Sequence, residues 1–225
     1  MLADILRDQT IGVWLEALAS SAPAPGGGAA AALNAAIGAA LIEMACNLTI
    51  GRPRYAQHEA DMRAALAQAT KLRGRALQSA ADDVRAFGAV SEAYKLPKET
   101  DVQRQARAEH IERALVGATE VALNTAVLAG EVIQLVRRIA DGTNVNVLAD
   151  VAAAAVSARA ALEVALINVQ ANVAAISDPA CSPELSKRIA GASWLAAEAD
   201  RTVRDIRGRI RGPSGPRPPA PSATT

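Results

Sequence analysis

Small and apolar residues recur every three or four positions through the longest uninterrupted stretch of this chain. Between residues 66 and 90 the repeating positions are Leu66, Ala69, Leu72, Ala76, Ala80, Val84, Phe87 and Val90. This spacing matches the 3.6-residue period of an α-helix with one buried face. The alternation typical of β-strands is hard to find anywhere in the sequence. The pattern therefore predicts an all-α protein.

Proline and glycine divide this pattern into six predicted helices. After the first helix, the breaks fall at APAPGGG (22–28), GRP (51–53), LPK (96–98), DG (141–142) and DP (178–179). Such residues interrupt helices or favour their ends. The helices are predicted at about 11–20, 29–50, 55–94, 101–140, 147–177 and 183–211, and Gly74 is the position where the long third helix could bend. We predict one helical domain over residues 1–211 and a disordered Pro/Gly-rich tail over residues 212–225.

The composition indicates how such helices are stabilised. Hydrophobic residues make up 51% of the 225 residues, whereas aromatic residues make up only 2%. Because alanine buries little apolar area per residue, an alanine-rich bundle needs close and extensive packing. This favours a large subunit interface and predicts a homodimer.

The net charge, the N-terminal sequence and the cysteines limit which partners and which cellular compartment are expected. The formal net charge is +1, which gives no reason to expect nucleic acid as a partner. The N-terminal sequence has acids and no apolar core of a signal peptide, and the apolar stretch 29–50 contains Glu43, so no membrane partner is expected. Cys46 and Cys181 are far apart among small or apolar residues, which is typical of reduced thiols in a cytoplasmic protein. No metal site is predicted, because the chain lacks clustered histidines and cysteines.

Three consecutive glycines, Gly26, Gly27 and Gly28, stand directly before the predicted second helix. A helix N-terminus fronted by bare glycine backbone can bind a carboxylate or phosphate. The alternative is that the glycines only allow helices to cross closely in an alanine-rich fold. The local pattern leaves both interpretations open.

Two adjacent carboxylates, Asp82 and Asp83, interrupt the apolar pattern of the third helix. Asp83 shares a face with Phe87, Val90 and Tyr94, so it borders an apolar stripe. A carboxylate with little water around it has a raised pKa and can act as a general acid or base. The alternative is that both acids are solvated or paired with basic residues along the helix.

Further polar residues lie in apolar surroundings, namely Asp150 near the start of the fifth helix and Asn168 further along it. Buried polar groups need hydrogen-bond partners. These side chains therefore either link helices together or contact a ligand.

The order of the motifs resembles the cyclodeaminase/cyclohydrolase family of folate enzymes, from about residue 10 to residue 211. The motifs are SSAPAPGGG (20–28), MACNLTIG (44–51), Tyr55, DDVRAF (82–87), AYKLPK (93–98), NVNV (144–147) with Asp150, and Asn168-Val169. The resemblance implies an up-and-down bundle of long antiparallel helices, usually a homodimer. It also implies chemistry on the one-carbon unit that bridges two nitrogens of tetrahydrofolate.

The resemblance assigns roles to particular residues. Asp83 matches the family's proposed proton donor and acceptor, and the implied folate-binding residues are Pro25, Gly26, Gly27, Gly28, Lys98, Asn144, Asp150 and Asn168. The expected reaction is hydrolysis of 5,10-methenyltetrahydrofolate to 10-formyltetrahydrofolate. Because the methenyl carbon is already electrophilic, no metal or cofactor is expected besides the folate substrate.

Two alternatives stay open at this point. The first is ring closure of formiminotetrahydrofolate with release of ammonia, which is the cyclodeaminase reaction. The second is a non-catalytic helical dimer that binds or scaffolds. The glycines together with Asp83 argue against the second, because a scaffold has no need of an acid beside an apolar stripe.

Overall fold

The computed structural model describes residues 9–176 and 182–211, with side chains of the last helix described over 194–210. The described residues form six α-helices and no β-strand. They are α1 (Ile11–Ala19), α2 (Gly27–Asn47), α3 (Glu59–Tyr94), α4 (Asp101–Ile139), α5 (Leu148–Ala175) and α6 (Ser182–Arg211). Short 3-10 turns, Pro53–His58 and Val145–Val147, precede α3 and α5. The all-α prediction and the six predicted helices are confirmed, and α3 passes through Gly74 as one helix. Cys181 and the tail 212–225 lie outside the described residues.

The central helix is α2, which packs against both α3 and α5 and also contacts α4. It runs antiparallel to α5, because Gly38 lies against the Ala154 carbonyl while Gly27 lies against Asn168. It also runs antiparallel to α3, since Glu43 near its end pairs with Arg73 at 2.6 Å. The start of α2 therefore meets the second half of α3 and the second half of α5.

Alanine fills most of the core between these helices, and larger side chains such as Ile42, Leu72 and Ile133 are fully buried among them. Helices that contact through alanine approach closely, which provides the extensive packing that the composition requires. Cys46 is buried in this core as a free thiol, and burial raises its pKa to about 11. This thiol is therefore inert at neutral pH.

Two of the helices, α2 and α4, are long and apolar enough to cross a membrane by length and composition alone. In each, 56% of the apolar window is buried inside the bundle. The core helices of an alanine-rich bundle share this character, because their apolar residues pack against other helices.

Helix α4 ends where the sequence predicts, but the glycine that follows it is needed for a different physical reason. The DG pair (141–142) predicts a helix end, and a capping glycine there would have a left-handed backbone. Among the described residues, however, only Gly51 has a positive φ, at 77°. A Cβ on Gly142 would lie 2.8 Å from Cγ of His58 and 2.9 Å from Cε of Met62. Glycine is thus needed here for close packing rather than for a left-handed backbone.

Candidate active site

The glycine segment opens α2 without a side-chain cap. Gly26 is the N-cap residue in an extended conformation, and no side chain of the segment bonds to the first turn. The preceding Ala24–Pro25 peptide bond is cis. Because no side chain caps the helix, the first backbone N–H groups of α2 need acceptors from elsewhere in the fold or from a ligand.

Asp83 supplies one such acceptor from the neighbouring helix. Its carboxylate accepts a hydrogen bond from the backbone N–H of Ala29, in the first turn of α2. The carboxylate lies directly on the backbone of Gly28, since an added Cβ there would be 1.9 Å from Oδ1 and 2.5 Å from Cγ of Asp83. Only glycine leaves room for this contact. Close helix crossing and an anion-binding helix end, which the sequence offered as alternatives, are therefore combined at this position.

The surroundings of Asp83 change its acidity. Burial raises the pKa of the carboxyl group, and the hydrogen bond from Ala29 opposes this in part. The N-terminal end of a helix dipole also favours the charged form. A carboxyl group whose pKa is raised, yet which stays hydrogen-bonded, is suited to accept and return a proton.

Asp82 lies in a different environment. It pairs with Arg85 and accepts a hydrogen bond from Nε2 of Gln78 at 3.0 Å, both on the outer surface of α3. The interpretation as a solvated, paired acid is thus correct for Asp82 and not for Asp83. The two neighbouring carboxylates give a natural matched pair for mutation.

Asn168 completes the cluster from α5. A Cβ on Gly27 would lie 3.5 Å from its Nδ2. The same Nδ2 donates to the Val164 carbonyl at 2.9 Å, so the amide is held against its own helix. The structure therefore brings together Pro25 to Gly28, Asp83 and Asn168 at one end of the bundle.

The same structure places Asn144 and Asp150 at the other end. Asp150 lies 18 residues before Asn168 on α5, which corresponds to about 27 Å along the helix. Asn144 is 3% exposed and donates from Nδ2 to the Leu48 carbonyl at 3.0 Å, while its Oδ1 accepts from the Asn146 N–H at 3.1 Å. Within one chain, Asn144 therefore links the loop between α4 and α5 to the end of α2 and does not contribute to the Asp83 cluster.

Lys98 is also separate from the cluster. It is exposed in the loop between α3 and α4, beyond the last turn of α3. Asp83 lies 11 residues before the end of α3, or about 16 Å along that helix. Lys98 is thus at the tip of a hairpin that extends past the start of α2.

Trp14 is the residue near the site that the sequence interpretation did not single out. It is the buried residue of α1 and packs against Ala29, Ala32 and Ala80. A lone tryptophan in a short helix just before the glycine segment was the available signal.

A cavity of about 310 Å³ lies away from the glycine segment, between the end of α4 and α6. Its charged lining residues are Arg137, Arg201 and Arg209 with Asp141, Glu198 and Asp205. Glu198 pairs with both Arg137 and Arg201, and Arg209 pairs with Asp141 at 3.3 Å. With three basic and three acidic side chains, the lining has no net charge that would select an ionic ligand.

No three histidine, cysteine, aspartate or glutamate side chains come together as a metal-binding group in the described part of the chain. The groups that the candidate site offers for chemistry are the Asp83 carboxylate, the amide of Asn168 and the backbone at the start of α2.

The chain is similar to proteins of known activity over most of its length. The family model described as formiminotransferase-cyclodeaminase matches residues 10–191. Methenyltetrahydrofolate cyclohydrolase of Methylorubrum extorquens is 45% identical over 192 residues, covering 85% of this chain and 91% of that protein. Formimidoyltransferase-cyclodeaminase of Mus musculus is 31% identical over 191 residues, which cover 82% of this chain but 34% of the mouse protein.

The fold has a counterpart among solved structures. The crystal structure of formiminotetrahydrofolate cyclodeaminase from Thermotoga maritima superposes with a TM-score of 0.82 at 22% identity, covering 92% of this chain and 99% of that one. The resemblance carried by the ordered motifs is therefore confirmed. By the extent of the family match and the identity to its relatives, this chain belongs to the formiminotransferase-cyclodeaminase family.

Proposed function

We propose that this protein hydrolyses 5,10-methenyltetrahydrofolate to 10-formyltetrahydrofolate in the cytoplasm. The observation that carries the proposal is the Asp83 carboxylate, held on the backbone of Gly28 with a raised pKa. The chain is also 45% identical to a methenyltetrahydrofolate cyclohydrolase across 91% of that relative. A proton-transferring group at the start of α2 is what the reaction requires.

The proposed mechanism uses Asp83 twice. The ionised carboxylate takes a proton from water as the water oxygen bonds to the cationic methenyl carbon. The protonated carboxyl group then returns that proton to N5 as the bond from this carbon to N5 breaks. The hydroxyl proton of the adduct leaves to solvent as the C=O bond forms, which leaves the formyl group on N10. One water is consumed, one proton is released because the cationic substrate becomes a neutral product, and Asp83 regains its charge. The negative charge also stabilises the cationic substrate before attack.

The remaining groups of the cluster bind and orient the folate. Gly26 and Gly27 leave backbone exposed where a flat ring can approach closely, and Pro25 fixes the entry to that segment. The Oδ1 of Asn168 has no hydrogen-bond partner within the described residues, so it can accept from an N–H of the pterin ring. Lys98 at the exposed hairpin tip suits the carboxylates of the folate tail.

A homodimer would explain why Asn144 and Asp150 lie far from Asp83 in one chain. The second half of α2 exposes Ile37 and Met44, and Leu48 continues this apolar stripe just past the last residue of the helix. If two copies of α2 pack antiparallel about a two-fold axis, the start of one meets the end of the other. The Asn144 end of a second copy would then face the Asp83 cluster of the first.

The dimer is tested by placing charge on the stripe at the middle of α2. Ile37 lies halfway along α2 and is 44% exposed. Ile37→Lys would set two like charges near the axis, so we expect the variant to run as a monomer and to lose activity. Val127→Lys alters a similarly exposed apolar residue on α4 and should stay dimeric. Light scattering that shows wild type as a folded monomer at micromolar concentration would overturn the dimer.

The reaction is expected to need no metal, nucleotide or other cofactor, because the substrate carbon is already electrophilic. Turnover should therefore be unchanged after treatment with EDTA and gel filtration. If EDTA abolishes activity and one divalent ion restores it, this part of the mechanism is wrong.

The second candidate is the cyclodeaminase reaction, which the family match and the mouse relative favour. The same carboxylate could protonate the departing ammonia during ring closure. The two activities are separated by giving one enzyme preparation each substrate in turn. We expect loss of the methenyl compound, and no release of ammonia from formiminotetrahydrofolate. Ammonia release without methenyl hydrolysis would establish the cyclodeaminase instead, and the absence of both would leave a non-catalytic dimer.

A further inference from the structure

Trp14 attaches α1 to the bundle at the junction of two other helices. It is 6% exposed and packs against Ala29 and Ala32 of α2 and Ala80 of α3, with Val84 at the edge of the cluster. Its neighbours on α1 are largely solvent-exposed, so the indole is the main anchor of this helix.

The residues beneath the indole are those that hold Asp83 in place. Ala29 donates its N–H to the Asp83 carboxylate, Val84 follows Asp83 in the chain, and Ala80 lies one turn before it. The ring therefore lies over the helix turns that flank Asp83. Burial is the leading cause of the raised pKa of Asp83.

The indole N–H is buried and has no hydrogen-bond partner within the described residues. A buried donor without a partner costs free energy, which a phenylalanine in this position would avoid. The indole N–H therefore adds nothing at this position, and the part of the side chain that matters is the ring packed on Ala29, Ala32 and Ala80.

We propose that Trp14 is a positioning residue of the Asp83 site, whose docked indole excludes water from the carboxylate and keeps the Ala29 N–H directed at it. The catalytic consequence rests on the proposed hydrolysis, whereas the contact between Trp14 and the Asp83 environment does not. Each part can therefore be tested separately.

Few charged groups around Asp83 compete with this effect. α2 has no titratable side chain from Gly27 to Ile42, and Asp82 and Arg85 on α3 pair with each other. The titratable residues on the neighbouring turns of the other helices are all exposed, namely Glu16 on α1, Glu120 on α4 and Glu163 on α5. A change in the ionisation of Asp83 can therefore be traced to the indole.

The catalytic test compares Trp14→Ala with Trp14→Phe. We expect Trp14→Ala to lower kcat at least about tenfold, since small misplacements of a reacting group carry costs of this order or more. The limb of the pH profile set by Asp83 should move to lower pH, because the pKa of a better solvated carboxyl group is closer to that of an ordinary aspartate. Trp14→Phe keeps an aromatic ring, so it should retain most of the wild-type kcat and most of the wild-type position of the pH limb. Trp194→Ala removes the other tryptophan, which is 55% exposed on α6, and should change neither the kcat nor the pH limb.

The bundle should survive Trp14→Ala, because the main core cluster does not include α1. The proposal is overturned if Trp14→Ala leaves the pH limb of wild type in place, whether or not its melting temperature falls.

A second measurement does not depend on activity. In Trp194→Phe, Trp14 is the sole tryptophan and reports on its own surroundings. Its emission should change with pH as Asp83 ionises, and adding Asp83→Asn should remove that change. Emission that is independent of pH, or a pH response that persists in Asp83→Asn, would contradict the contact. If wild type lacks hydrolase activity while the emission still follows Asp83, the proposed function fails and the contact stands.

Discussion

Replacing Asp83 with asparagine should lower turnover at least about 100-fold, because general acid–base assistance is typically worth 100- to 10,000-fold. The amide keeps the size of the side chain, and its oxygen can still accept from the Ala29 N–H. It cannot take a proton from water. The expected result in a steady-state assay is therefore a large fall in kcat with a much smaller change in KM.

Asp82→Asn is the matched control for this prediction. It removes an exposed ion pair with Arg85, which is worth about 0–1 kcal/mol of stability, and should leave turnover near that of wild type. If Asp82→Asn proves more damaging than Asp83→Asn, the assignment of the proton-transferring group is wrong.

Stability gives an independent check on the state of Asp83. Because its pKa is raised in the folded protein, the native state binds the proton more tightly than the unfolded state does. The contribution of Asp83 to stability therefore falls as pH rises through the unfolded and then the folded pKa. Asparagine does not ionise, so Asp83→Asn should melt at or above the wild-type temperature near neutral pH. Its advantage should shrink in acid.

Gly28→Ala is expected to have the next largest effect. The new Cβ would lie 1.9 Å from Oδ1 of Asp83, so the carboxylate must move by more than about 1 Å. A displacement of that size can cost about 100-fold in rate. Alanine favours helix formation over glycine, by up to about 1 kcal/mol, so α2 should still form. We expect a folded protein with strongly reduced kcat, measured alongside circular dichroism.

Two glycines of α3 serve as controls for this variant. Gly74 and Gly88 have nothing within 4 Å of an added Cβ, so Gly74→Ala and Gly88→Ala should be silent in the assay. Equal loss of activity in all three variants would mean that the glycines act through the helices and not through Asp83.

Much of the fold could be predicted from the three- to four-residue spacing of small and apolar residues. Ala69, Leu72, Ala76 and Ala80 were predicted on one face of α3, and all four are buried. Helix ends agree within a few residues because proline and glycine act locally. Such local effects can be read without knowing the tertiary arrangement.

The source of the Asp83 burial could not be predicted in the same way. Phe87 and Tyr94, the expected apolar neighbours, are 44% and 50% exposed. The carboxylate is buried instead against Gly28, 55 residues earlier in the chain. A helical period assigns residues to a face, but it does not say which helix covers that face.

The same limit applies to the wider site. Resemblance to the family grouped Asn144 and Asp150 with Asp83, whereas α5 alone separates Asp150 from the Asn168 end of the bundle by about 27 Å. Helix lengths could be predicted from the sequence, and the resemblance implied antiparallel helices, but the register at which α2 packs against α5 could not be predicted. The distribution of these residues along the bundle depends on that register.

The central claim is that Asp83, on the backbone of Gly28, hydrolyses the methenyl bridge of the folate. The most direct test follows the loss of 5,10-methenyltetrahydrofolate absorbance with wild type, with Asp83→Asn and without enzyme. We predict a wild-type rate that rises in proportion to enzyme concentration, and an Asp83→Asn rate close to that of the uncatalysed reaction. A wild-type rate no faster than uncatalysed hydrolysis, or an Asp83→Asn rate equal to that of wild type, would contradict the claim.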